Sequence, residues 1–142
     1  MEKVKIYLSG GMGNLSFEEQ SKWRIKVQDA IKFGDYDTEK KAVFFNPVDF
    51  YNLEEKRHKF ERESMDFDLY NLRNSNLVIV NFNDEKSIGT ARELMLAREY
   101  RIPVIAFGAN GKDIHPWISE CCTRICDSLR ECVEHVVEFY LN

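Results

Sequence analysis

The sequence has no long hydrophobic run. Its start, MEKVKIYLSGG, is charged at once and its apolar segment is a few residues long, too short for a signal peptide or a membrane span. A cytoplasmic protein with no membrane partner is the expectation. Prolines and glycines are few, three and seven in 142 residues, while 44% of the chain is apolar and 13% aromatic. That balance argues against disorder and predicts one domain with a real core over 1–142. No basic cluster is long enough to track a phosphate backbone: 20 basic residues are mixed with 24 acidic ones for a net charge of −4, so polymeric nucleic acid is not an expected partner. Small anions remain open, because a local site can bind them within an acidic protein. The cysteines lack the paired spacing of a zinc site or a disulfide framework. Cys121, Cys122, Cys126 and Cys132 crowd into one stretch and read as reduced, core-filling thiols. Neither GxGxxG nor GxxxxGK[ST] occurs, which withholds support from dinucleotide or triphosphate binding.

What is present is an alternation of strands and helices. VKIYL is a short β-rich run ended by SGGMGN, and Ser16 with Glu19 forms a capping-box signature for a helix from about Phe17 to Phe33. AVFFNP gives a second strand that Pro47 stops, since proline cannot donate to a ladder. From about Phe60 to Asn74, the spacing of Phe60, Met65, Phe67, Leu69 and Leu72 suits an amphipathic helix. NLVIVNF, almost uninterruptedly apolar, belongs in a buried central strand. Gly89 to Tyr100 reads as the next helix, IPVIAF as a fourth strand and TRICD as a short fifth, before a last helix that Ser128 and Glu131 could cap. There is no repeat or linker. Strict alternation predicts a small doubly wound α/β domain, a parallel five-stranded sheet with helices on both faces. Ligands in that architecture bind beyond the carboxyl ends of the strands where the strand order reverses. In a 2-1-3-4-5 order, SGGMGN and NDEKSIG would meet there.

Ser9, Gly10, Gly11 and Gly13 allow a tight turn and a close approach of backbone N–H groups to a ligand, or form a plain strand-to-helix turn. Ser87, Gly89 and Thr90 sit at a helix N-terminus, where open N–H groups and two hydroxyls would hold a phosphate or simply cap the helix. Glu93 follows Gly89 by four residues and shares its face, which looks into the crevice, and is either a solvated residue favoured by the helix dipole or a group placed to react. Asp68 lies on the apolar stripe of its helix, whereas Asp66 shares a face with Arg62 and Tyr70 and has a surface partner in view. A carboxylate on a core face needs a reason. Two carboxylates converging on one pocket can act as nucleophile and as proton donor, the division of labour that breaks glycosidic bonds. Tyr7, at the end of the first strand, could fix the nucleophile's rotamer by a hydrogen bond or serve as an aromatic core residue.

KIYLSGG, DLYNLRNSNLVIVNF and SIGTAREL with the following MLA resemble the nucleoside 2-deoxyribosyltransferase family, including its nucleotide N-glycosidase branches, over Lys5 to about Phe107. The resemblance implies that Glu93 is the nucleophile at the anomeric carbon, that Tyr7 orients it, and that Asp68 acts at the base or sugar. Ser87 stands where the nucleoside transferases carry an aspartate. In that respect the chain looks like the branch that hydrolyses nucleoside 5′-monophosphates, although its glycine loop lacks the arginine seen in some of them. A hydroxyl donates to a phosphate that a carboxylate would repel. Family members complete the pocket with a residue of a neighbouring subunit, which implies a homo-oligomer. GKDIHPWI sits where that segment falls, with His115 as the candidate donor or else a helix cap. The expected activity is cleavage of the N-glycosidic bond of a (2′-deoxy)nucleoside or its monophosphate, by hydrolysis or transfer, with no metal or organic cofactor required. The rival expectation is a nucleotide-binding or sensing module without turnover.

Overall fold

The computed structural model describes residues 1–13, 15–50 and 58–142. Asn14 of the glycine loop lies outside them. The elements run β1 (Lys3–Gly10), α1 (Phe17–Phe33), β2 (Lys41–Phe45), a 3-10 turn (Pro47–Phe50), α2 (Glu61–Arg73), β3 (Leu77–Asn81), α3 (Ile88–Glu99), β4 (Val104–Phe107), α4 (Pro116–Ser119), β5 (Arg124–Ile125) and α5 (Leu129–Tyr140). All strand pairings are parallel, as the alternation predicts, and the order is β2-β1-β3-β4-β5. The order reverses between β1 and β3. No described helix is long and apolar enough to cross a membrane.

The sheet carries a core on each face because successive strand residues point to opposite sides. Ile6 and Leu8 of β1 pack with Ile79, Ile105, and Trp23 and Val27 of α1 on the side that α5 also covers. Tyr7 points the other way and packs with Val78, Val80, Leu72 of α2, and Leu94 and Ala97 of α3. Ser9, two residues beyond Tyr7, therefore faces α2 and α3 as well. Residues of β1, β3 and β4 are almost entirely buried, as a central strand's composition requires. The helix ends form as expected. Ser16 Oγ accepts from Glu19 N at 3.1 Å while Glu19 Oε1 accepts from Ser16 N at 3.4 Å, and Ser128 Oγ accepts from Glu131 N at 3.1 Å. All four cysteines are free thiols, with Cys126 and Cys132 buried in the core.

Two details differ from the sequence expectation. On α2 the inward stripe is Ser64, Asp68 and Leu72, spaced by four, with Phe67 and Leu69 half-buried beside it, while Met65 and Phe60 are exposed. The helix is rotated by about one residue from the stripe its apolar residues suggest, and Asp68 takes an inward place. The second difference is that β1 continues through Ser9 and Gly10, so the glycine loop begins two residues later. β1 pairs with β2 only as far as Tyr7↔Phe45, but with β3 as far as Gly10↔Asn81. Its carboxyl end projects past β2.

Beyond β4 the chain turns sharply at Gly108, whose φ is 83°, and a Cβ there would lie 2.1 Å from Asn81 Oδ1. Both the positive φ and the lack of space favour glycine. Gly108→Ala is expected to destabilise the protein by roughly 2–4 kcal/mol in urea unfolding. An unchanged unfolding midpoint would show that the Asn81 side chain swings away at no cost.

Candidate active site

Four elements deliver side chains to the carboxyl ends of β1 and β3. Tyr7 is fully buried on β1, and its ring stacks on Phe45 at 5.3 Å between centroids. Phe45 in turn meets Phe50 and Phe67, at 5.4 and 5.7 Å, so an aromatic cluster borders the site on the β2 side. Ser9 is also fully buried, and its Oγ donates to Glu93 Oε1 at 3.2 Å. Glu93 arrives on α3, which buries Thr90, Leu94 and Ala97 against the sheet and carries Glu93 beside that face, half-buried. Asp68 arrives on α2, also half-buried, close enough for its charge to act on both Glu93 and Tyr7.

This environment holds the Glu93 carboxyl up to about 7, from an ordinary 4.5. Removal from water is the largest cause, and the neighbouring Asp68 charge adds to it. Tyr7, Arg24 and Ser9 pull the other way, by hydrogen bonding or positive charge. The Tyr7 hydroxyl is pushed well above its ordinary value by burial and then by the same two carboxylates. It lies beside the Glu93 carboxyl without the geometry of a fully formed hydrogen bond, so the direct bond to the carboxylate is made by Ser9.

The glycine loop is shaped by its protein neighbours. A Cβ on Gly10 would meet Trp23 Cζ2 at 2.7 Å, and one on Gly11 would meet Asp84 Cβ at 2.6 Å. Gly11 N donates to Asn83 Oδ1 at 2.9 Å, which ties this loop to the one after β3. The close backbone approach expected for a ligand is thus made to protein atoms at these two glycines. Ser87 is the N-cap of α3, its Oγ accepting from Thr90 N at 3.2 Å. Among the described residues the Ile88 and Gly89 amides take no partner, and above Gly89 a Cβ would meet only Ser87 Oγ, at 3.9 Å. Thr90 is 4% exposed and its hydroxyl is unpartnered. Open amides and open space therefore coincide at this helix start. His115 is exposed and caps α4, its Nδ1 accepting from Trp117 N at 3.1 Å. Within this chain it serves that helix end.

Two residues escaped the sequence reading. Lys112 Nζ donates to Phe82 O at 2.7 Å and Asn83 O at 3.2 Å, holding the loop after β4 against the loop after β3. Arg24 is fully buried on α1 and donates to backbone carbonyls at the end of β1. The signal for Arg24 was available. It lies four residues after Gln20 and three before Val27, on the stripe that also buries Trp23 and Ile31, and a cation there is as unusual as Asp68 on its own helix. A cavity of about 510 Å³ lined by Arg98, Ile102, Cys121 and Thr123 opens near the start of β4, at the other end of the sheet from these groups.

No family model and no curated protein matches the chain. Solved structures do. A conserved protein from Enterococcus faecalis V583 superposes with a TM-score of 0.70 at 13% identity, covering 96% of this chain and 98% of that one. A 2-deoxyribosyltransferase from Bacillus psychrosaccharolyticus superposes with a TM-score of 0.65 at 19% identity, covering 89% of this chain and 88% of that one. These likenesses establish the fold.

The raised Glu93 value couples to stability with a definite sign. A folded-state value above the unfolded one means that the folded protein holds the proton more tightly, so the contribution of the neutral acid is complete below about 4.5 and is lost as the pH rises through about 7. Glu93→Gln mimics the neutral form. It is expected to match the wild type near pH 4.5 and to exceed it by on the order of 1–3 kcal/mol at pH 8, in denaturant unfolding at both pH values. A difference independent of pH would mean that Glu93 titrates as an ordinary carboxyl.

Proposed function

We propose that the chain cleaves the N-glycosidic bond of a (2′-deoxy)nucleoside or of its 5′-monophosphate. The observation that carries this reading is the convergence on Glu93 of Ser9 and Tyr7 from β1 and Asp68 from α2, at the end of the sheet where the strand order reverses. The fold shared with a 2-deoxyribosyltransferase supports it. In this reaction a Glu93 oxygen attacks C1′, the bond from C1′ to the base nitrogen breaks, and the base leaves with the electron pair. Asp68 or a nearby donor supplies the proton that the base takes. A glycosyl ester on Glu93 results, and attack by water or by a second base at C1′ releases the sugar with net retention. Ser9, and Tyr7 beside it, hold the attacking carboxylate in one rotamer. The aromatic cluster of Phe45, Phe50 and Phe67 borders the site with apolar surface suited to a planar base.

The 5′-phosphate reading places that group at the start of α3. The Ile88 and Gly89 amides are open there, and the Ser87 hydroxyl, which accepts from Thr90 N, keeps its own proton to donate. A second copy of the chain would bring its His115 segment to the pocket mouth. The exposure of Trp117 beside it, 72%, suits a contact between copies.

The decisive experiment is incubation with a panel of nucleosides and monophosphates, with and without a free base, following released base by chromatography. Glu93→Gln is expected to abolish release while remaining folded, and near-native turnover in that variant would remove Glu93 from the nucleophile's role. Ser87→Asp separates the two substrate classes. It places a negative charge beside the phosphate and should lower monophosphate turnover by roughly 10- to 100-fold while sparing nucleosides. If the ratio of the two activities does not move, Ser87 is a helix cap and nothing more.

A further inference from the structure

The end of β1 presents a hydrogen-bonding problem that the rest of the site depends on. Lys41 N of β2 donates to Glu2 O at 2.8 Å, and the ladder climbs from there in steps of two residues. Continued past Tyr7↔Phe45, the donor opposite Leu8 O would be residue 47 and the donor opposite Gly10 O would be residue 49. Residue 47 is a proline with no N–H. Asp49 N is turned onto Asn46 O at 3.1 Å in the 3-10 turn. Two carbonyls at the buried end of a central strand are thus left without strand donors, a costly condition unless another group supplies them. Arg24 does so. Its Nε lies 3.4 Å from Leu8 O and its Nη2 3.3 Å from Gly10 O, while Nη1 donates to Gln20 O one helical turn back, at 2.5 Å. The guanidinium packs over the Trp23 ring at 4.6 Å from its centroid and takes part in none of the described salt bridges.

The two carbonyls flank Ser9, the residue whose hydroxyl holds Glu93 at 3.2 Å. We infer that Arg24 is a positioning residue of this site: its guanidinium bridges the Leu8 and Gly10 carbonyls, fixes Ser9 between them onto Glu93, and sets a buried positive charge near the Glu93 carboxylate. The groups acting on that carboxyl are Tyr7 and Ser9 from β1, Asp68 from α2 and Arg24 from α1. Asp68 favours the neutral acid and the other three favour the anion. Burial lowers the guanidinium only to about 10, so Arg24 stays charged at neutral pH. Lysine is no substitute, because a single ammonium lacks the fixed fork that spans two carbonyls. The inference extends the proposed glycosidic chemistry, in which Glu93 must ionise in a fixed orientation, but its geometry stands apart from any substrate.

Carbon-detected NMR of the Glu93 side-chain carboxyl between pH 5 and 9, in wild type, Arg24→Gln and Arg24→Lys, tests it. Loss of the charge in Arg24→Gln should raise the titration midpoint by about half a unit or more. Arg24→Lys keeps the charge and should titrate near the wild type, while its kcat for base release falls roughly 10-fold at little-changed KM, because Ser9 is no longer held from both sides. A folded Arg24→Gln protein that titrates where the wild type does overturns the inference. Should that variant not fold, hydrogen exchange in Arg24→Lys decides: the Ser9 and Gly11 amides should exchange roughly 10-fold faster, and unchanged exchange overturns it. A wild type that releases no base from any substrate, with the titration shift present, removes the proposed reaction and leaves Arg24 in its role. Base release with no titration shift does the reverse.

Discussion

Holding a carboxylate against the end of a parallel sheet is the constraint around which this site is organised. Glu93 sits where ionisation is opposed by removal from water and by a second carboxylate, Asp68. Left alone, such a group would stay protonated and inert as a nucleophile. The hydroxyls of Ser9 and Tyr7 and the guanidinium of Arg24 offset enough of that cost to leave the value near 7, where both protonation states are populated at neutral pH. A carboxyl in that range can give or take a proton and can also attack as an anion. Removing any one of the opposing influences would push it towards an ordinary solvated acid or a permanently neutral one. The arrangement is therefore a balance between neighbours, and its members come from four different elements of the fold.

Much of the architecture was legible in the sequence because it rests on local rules. The two-residue alternation of buried strands, the Ser16–Glu19 box and the Ser128 cap each act over a few residues and each formed as read. The five parallel strands follow from the alternation of elements, and their order is the one in which the two loops meet. Glu93 and Asp68 could be singled out because a carboxylate near a crevice, or on a core face, conflicts with its surroundings. The misreadings came where tertiary packing overrode local pattern. On α2 the exposed Met65 and the buried Ser64 reverse the order that hydrophobicity suggests, with Asp68 in an inward place. The short helix Pro116–Ser119 entered only through the cap alternative for His115, four residues being too few to carry a periodic signal.

Ser9 and Arg24 illustrate a different limit. Ser9 was read as the start of the glycine loop, and nothing in SGGMGN announces that the strand continues through it. That continuation depends on how far β3 runs alongside β1, a long-range pairing that one segment cannot reveal. Arg24 depends on two such facts at once: the register of β2 against β1, and the position of Pro47 in that register. Yet each ingredient was visible separately, as a proline closing a strand and an arginine among apolar residues on one helix stripe. What the sequence could not show was that the donor missing from the strand and the excess donor on the helix meet.

Pro47 accordingly has two consequences from one missing N–H. It ends β2, which leaves the carboxyl end of β1 free of a neighbouring strand on that side. It also leaves Leu8 O to a side chain, as the turn that takes Asp49 N onto Asn46 O leaves Gly10 O, and a side chain can carry charge where a strand amide cannot. The sheet side of the site is thus held by backbone positions that β3 and Arg24 define together, with Gly11 tied to Asn83 just beyond. Glu93 approaches from α3, whose place is set by Thr90, Leu94 and Ala97 against the same sheet. The Ser9–Glu93 contact joins these two independently packed units at 3.2 Å, so the spacing between the Glu93 carboxylate and its support is fixed by how closely α3 lies on β1 and β3. Small side chains such as Ala97 on the buried face of α3 permit that approach, and a fold built for bulkier packing there would separate the pair.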